Sequence, residues 1–102
     1  MVKIKPGVCF HHMTFLLPEV LRIIYIVQKV APMNYEITIT SGCEGDHIVN
    51  SSHYKGKAFD FRIRDFPKDK HLTVWKDRIQ SALGSCYFVL LEDDHLHVQY
   101  NG

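Results

Sequence analysis

The segment Lys57-Ala58-Phe59-Asp60-Phe61-Arg62-Ile63 switches between polar or small and large apolar residues along its length. A period of two is that of a β-strand, whose successive side chains leave opposite faces. Phe59, Phe61 and Ile63 therefore share one face, and Ala58, Asp60 and Arg62 the other. The apolar face requires a covering layer. The other face carries a carboxylate inside an otherwise apolar strand, which is costly unless it is paired, hydrogen-bonded or bound to a metal. This one residue constrains fold and function together.

The rest of the chain supplies the covering layer. Residues 17–31 read as a helix. Pro18 suits its first turn, Val20, Ile23, Ile24, Val27, Val30 and Ala31 recur at helical spacing, and Pro32 stops it. A second helix is expected over 69–83, capped by Asp69, lined by Leu72, Trp75, Ile79, Ala82 and Leu83, and ended by Gly84. Trp75 belongs to that apolar stripe and reads as core. Tyr35 to Thr40 alternates and is rich in β-branched residues, so it reads as a strand. Cys86 to Leu91 and His95 to Tyr100 read as a hairpin turning at Glu92-Asp93-Asp94, and Val8 to Phe10 as a short edge strand. Ser41 to Ser52 is a polar loop. The order predicts an α+β fold: a small, mostly antiparallel sheet with helices on one side. With 102 residues and no repeat or linker in the sequence, residues 1–102 are read as a single domain.

Composition excludes several functions. Twelve basic and eleven acidic residues leave a net charge of +1, with no basic stripe to favour nucleic acid. The most apolar stretch, Phe15 to Val30, is interrupted by Pro18, Glu19, Arg22, Gln28 and Lys29, so no membrane span is expected. The N-terminus lacks the apolar run of a signal peptide, which predicts synthesis in the cytoplasm. Three cysteines, widely spaced and without a CxxC pair, are neither a disulfide framework nor a thiolate zinc site and read as free thiols.

Seven histidines are many for this length. Three of them fall in two clusters, Ser51-Ser52-His53-Tyr54-Lys55-Gly56-Lys57-Ala58-Phe59-Asp60 and Asp94-His95-Leu96-His97. On a strand His95 and His97 project from one face. Asp94 joins them only if it lies in the turn, before regular pairing begins. His53 precedes Asp60 by a glycine-containing turn that can return it to the carboxylate. Two histidines and one aspartate make a three-ligand zinc set with a fourth position open to water. Each motif has a bland reading alone, as a chance surface pair or a metal-free histidine cluster that senses pH. Their combination, in this order, points to one metal site.

These residues resemble the D-alanyl-D-alanine metallopeptidases, zinc carboxypeptidases and endopeptidases of bacterial cell-wall peptides that share the hedgehog signalling fold. The family pattern S-x-H-x-x-G-x-A-x-D is filled by Ser51, His53, Gly56, Ala58 and Asp60. Its later acidic residue, three positions before a final histidine, is matched by Asp94 and His97. Ile39-Thr40-Ser41-Gly42 and the leading helix resemble compact phage-encoded members, which include endolysins and virion-associated wall hydrolases. The resemblance implies one zinc ion held by His53, Asp60 and His97. It implies Asp94 as general base and acid, and His95 as a helper beside the zinc water. Ser51 is then a loop-fixing or substrate-contacting residue, Gly56 supplies a backbone conformation closed to side chains, and Ala58 keeps space beside Asp60. The implied substrate is a peptidoglycan peptide, reached after release from the cell or from within a phage particle.

One position departs from the family. Many members carry an arginine two residues after Ser-Gly, where it can bind a substrate carboxylate; here Glu44 follows Ser41-Gly42-Cys43. A glutamate repels such a group, which favours an endopeptidase or a substrate with an amine near Glu44. Arg62 can stand in, or be a solvated charge. The rival reading is a binding or structural module with the same fold and zinc but no hydrolysis, such as a virion component. His47 is read either as reaching the cleft or as an exposed loop residue. Tyr54 and Tyr100 either line the substrate groove or are half-buried aromatics. His11 and His12 are expected to be structural or exposed, and His71 to face solvent. Lys55, Lys57, Arg62 and Arg64 form a basic run, read as a solvated face or as an attraction to an anionic wall.

Overall fold

A computed structural model describes residues 2–42 and 56–102 of the chain. Its elements, in order, are β1 (Lys3–Ile4), a 3₁₀ turn (Met13–Leu16), α1 (Pro18–Lys29), β2 (Thr38–Ser41), β3 (Ala58–Arg62), α2 (Leu72–Leu83), β4 (Tyr87–Leu91) and β5 (His95–Tyr100). The five strands form one mixed sheet in the order β1-β2-β3-β5-β4. β1 runs parallel to β2, and the other pairings are antiparallel. The α+β class is therefore as expected. No helix of the described residues is long and apolar enough to cross a membrane.

The alternation in β3 works as its sequence requires. Phe59 and Phe61 enter a single core with Leu96 and Val98 of β5, Tyr87 and Val89 of β4, and Ile37 and Ile39 beside β1. Val20, Ile23, Ile26 and Val27 of α1 and Trp75, Ile79 and Leu83 of α2 cover them. Both helices thus serve the same side of the sheet. Trp75 is buried as expected, and its indole N–H donates to the Val27 carbonyl at 3.3 Å.

Each helix also clamps the chain that follows it. In α1, Gln28 donates from Nε2 to the Tyr35 carbonyl at 2.6 Å and accepts the Ile37 amide at 3.0 Å. In α2, Gln80 donates to the Tyr87 carbonyl at 2.8 Å and accepts the Val89 amide at 3.1 Å. The two clamps share their sequence offsets, and the tyrosine of each is tied down through its hydroxyl. Tyr35 donates to Asp65 Oδ1 at 2.8 Å, and Tyr87 to the Glu19 carbonyl at 2.6 Å. The sequence shows no repeat, yet the fold uses one device twice.

Three boundaries differ from the sequence reading. α2 begins at Leu72, with His71 at its N-cap, so Asp69 does not cap it. Asp69 lies in the turn begun by Pro67, whose carbonyl accepts the Lys70 amide at 3.1 Å. No strand forms at Val8 to Phe10. Pro6-Gly7 turns the chain off the sheet edge, with Gly7 at φ 89°, and Lys3–Ile4 takes the edge position instead. Phe10 then packs on Phe15 and Phe59 at centroid distances of 5.4 and 5.9 Å. Tyr35 to Ile37 precedes β2 proper, because Gln28 takes up two of its backbone groups.

Candidate metal centre

The register between β3 and β5 builds the site. Asp60 pairs with His97, Arg62 with His95, and Ala58 with Gln99. These residues alternate with the buried Phe59, Phe61, Leu96 and Val98, so they occupy the face turned away from the helices. A sequence separation of 37 residues collapses there to a contact: His97 Nδ1 lies 2.9 Å from Asp60 Oδ1. His95 Nε2 lies 3.8 Å from the same oxygen. Asp60 thus lies beside both strand histidines.

Asp94 lies in the turn between β4 and β5, outside regular pairing. Its Oδ1 is 2.6 Å from His95 Nδ1. Exposure separates the two carboxylates: the Asp60 side chain is 13% exposed and that of Asp94 88%. The first is largely withdrawn from solvent and the second reaches it.

Burial alone would lower the pKa of His97. The hydrogen bonds to Asp60 and Gln99, together with the Asp60 charge, outweigh it and raise the imidazole above its ordinary value.

Ser51, His53 and Tyr54, and likewise Glu44 and His47, lie outside the described residues. Among the described residues no group of three or more His, Cys, Asp or Glu has the arrangement of a metal site. Asp60 and His97 fit such a site as two ligands of a set: an oxygen and a nitrogen donor, both half-buried and directed at each other. Gly56, between His53 and Asp60, has φ +67°. A Cβ on it would come within 2.8 Å of His12 Cβ and Thr14 Oγ1, so the motif's glycine is required twice over. Ala58 is fully buried beside the site.

A cleft of about 660 Å³ opens at this face, lined in part by Thr40, Ser41, Asp60, Arg62, Asp94 and His95. Arg62 faces it and has no carboxylate partner among the described residues. Tyr100 falls on the other side of β5, half-buried against Tyr87 at 5.1 Å. His12 caps the 3₁₀ turn, accepting the Thr14 amide at 3.2 Å, and His11 contacts Cys9 Sγ. His71 is exposed. Cys86 is an exposed free thiol.

The sequence reading passed over Gln99 and Asn101. Gln99 Oε1 lies 2.7 Å from His97 Nε2, and Gln99 Nε2 donates to Asn101 Oδ1 at 2.6 Å. The signal was available, since His95, His97, Gln99 and Asn101 continue one two-residue period; polar residues at the end of a strand simply carry no motif.

No family model, curated protein or solved structure matches this chain.

Proposed function

We propose that the chain is a zinc-dependent peptidase of the D-alanyl-D-alanine metallopeptidase type, with a hedgehog-like fold. In this reading it hydrolyses a bond involving a D-amino acid in peptidoglycan stem or cross-link peptides, as an endopeptidase. It is made in the cytoplasm and meets the wall after release, or is carried in a phage particle. The observation that supports this most directly is the contact of Asp60 with His97 across β3 and β5, with His95 and Asp94 beside it.

Asp60 and His97, together with His53, would hold the ion. When bound, zinc lowers the pKa of a water and polarises the scissile carbonyl. Asp94 takes the proton and returns it to the leaving amine, a role suited to an exposed carboxylate at the cleft. By accepting from His95 Nδ1, Asp94 also leaves the Nε2 side of that ring turned toward Asp60. There His95, when it carries a proton on both ring nitrogens, donates Nε2–H to the carbonyl oxygen as that oxygen gains charge. Glu44, where a carboxylate-binding arginine is common, favours cleavage within a chain over removal of a terminal residue.

The test is incubation with purified peptidoglycan, with and without a chelator, followed by mass analysis of the released peptides. Chelator-sensitive release of stem or cross-link fragments is expected. Intact wall in the presence of zinc-loaded protein favours the rival reading, a non-catalytic zinc module.

A further inference from the structure

We propose that Gln99, itself held by Asn101, is a positioning residue that dedicates Nδ1 of His97 to the metal. The proposal rests on the zinc reading above. It begins with the asymmetry of an amide. A glutamine has one end that only accepts hydrogen bonds and one that only donates. Gln99 turns its donor end to Asn101 Oδ1 at 2.6 Å, so its acceptor end, Oε1, faces His97 Nε2 at 2.7 Å. An acceptor at that distance requires His97 Nε2 to carry its hydrogen. The nitrogen left to bind a cation is then Nδ1, the one 2.9 Å from the Asp60 carboxylate.

The backbone keeps this relay in place. β5 lies between β3 and β4, and Gln99 pairs with Ala58 on one side and Phe88 on the other. Beyond it, the Tyr100 amide donates to the Lys57 carbonyl at 2.9 Å, and the Asn101 amide to the Cys86 carbonyl at 2.7 Å. Gln99 and Asn101 thus stand on anchored chain, where an outer hydrogen bond can hold a ligand ring in one orientation. Such outer partners set ring orientation and ligand basicity, and their loss typically weakens metal binding about 10–100-fold.

Zinc affinity, measured by chelator competition, tests this without recourse to activity. Gln99→Leu, which keeps the bulk and removes the acceptor, is expected to bind zinc about 10–100-fold more weakly than the wild type. Gln99→Glu restores an acceptor for Nε2–H and is expected to bind as tightly as the wild type, a rescue that mere packing would not produce. Asn101→Ala is expected to show a smaller loss. In the zinc-loaded wild type, ¹⁵N shifts of the His97 ring should show Nδ1 bound and Nε2 protonated. Zinc-free melting curves of each variant establish that the fold is retained. Gln99→Leu binding zinc like the wild type, or metal on Nε2, overturns the proposal while leaving the zinc site intact. A wild type that takes up no zinc overturns the zinc reading itself and the proposal with it.

Discussion

Phe59, Phe61, Leu96 and Val98 leave β3 and β5 toward the helices and are almost without solvent exposure. Asp60, Arg62, His95 and His97 leave the same two strands on the other side and stay partly exposed. One backbone therefore serves two unlike surfaces. On the helix side, apolar area removed from water and close packing hold the fold. On the other, a few charge-assisted hydrogen bonds hold side chains in place and fix their geometry. The difference teaches that the polar face and the core can be perturbed separately here, one residue apart.

The largest separation is expected at Asp94. On the proposed peptidase reading, Asp94→Ala should lower the rate of peptide release by about 10²–10⁴-fold, retain zinc, and shift stability by no more than about 0.5 kcal/mol, as for other exposed positions. Normal cleavage by this variant would break the assignment of roles between the two faces. Phe61→Ala is the converse. Deleting a fully buried ring should cost about 3–5 kcal/mol in chemical denaturation. Zinc affinity measured under folding conditions should change far less.

The helix clamps come next. Gln80→Ala leaves the Tyr87 carbonyl and Val89 amide without their side-chain partner and should cost about 1–3 kcal/mol. Gln28→Ala should behave alike, and a marked inequality would show that the two clamps are not equivalent. Tyr35 adds a pH dependence to the helix side. Burial first, then the Asp65 hydrogen bond and charge, raise its phenol well above the ordinary 10.0. A raised pKa in the folded state means stability that is fully present below about pH 10 and falls as the pH climbs beyond it. Thermal melts of the wild type should decline in that range, and Tyr35→Phe should flatten the decline. The smallest effect is expected at Thr38, whose buried hydroxyl has no hydrogen-bond partner among the described residues. Thr38→Val should stabilise the protein by about 1 kcal/mol in the same denaturation assay.

Much of the architecture was legible because its signals are local. The two-residue period of β3 and β5 separates their faces within a few positions of chain. Gly84 ends α2 with φ 97°, and Pro18 starts α1. Asp69 misled because a good capping residue two positions after Pro67 is first of all a turn residue. Val8 to Phe10 misled because short β-prone runs join a sheet only where the chain's path permits, and Pro6-Gly7 redirects that path. Gln99 was missed because its role depends on a ring nitrogen two residues away, on the same face, and on Asn101 beyond it.

The sequence by itself determined which side chains share a face, where α1 and α2 fall to within a few residues, and that Asp60 needs a partner. Those properties follow from helical and strand periodicity and from the cost of burying charge, both readable over short windows. Only the tertiary structure decided that His97 and His95 are partners of Asp60, with His95 paired to Arg62 in register. Strand register joins residues 37 apart, and no local preference encodes it. The same holds for the parallel placement of β1 and for the glutamine clamps, where side chains satisfy backbone groups that the sheet leaves open.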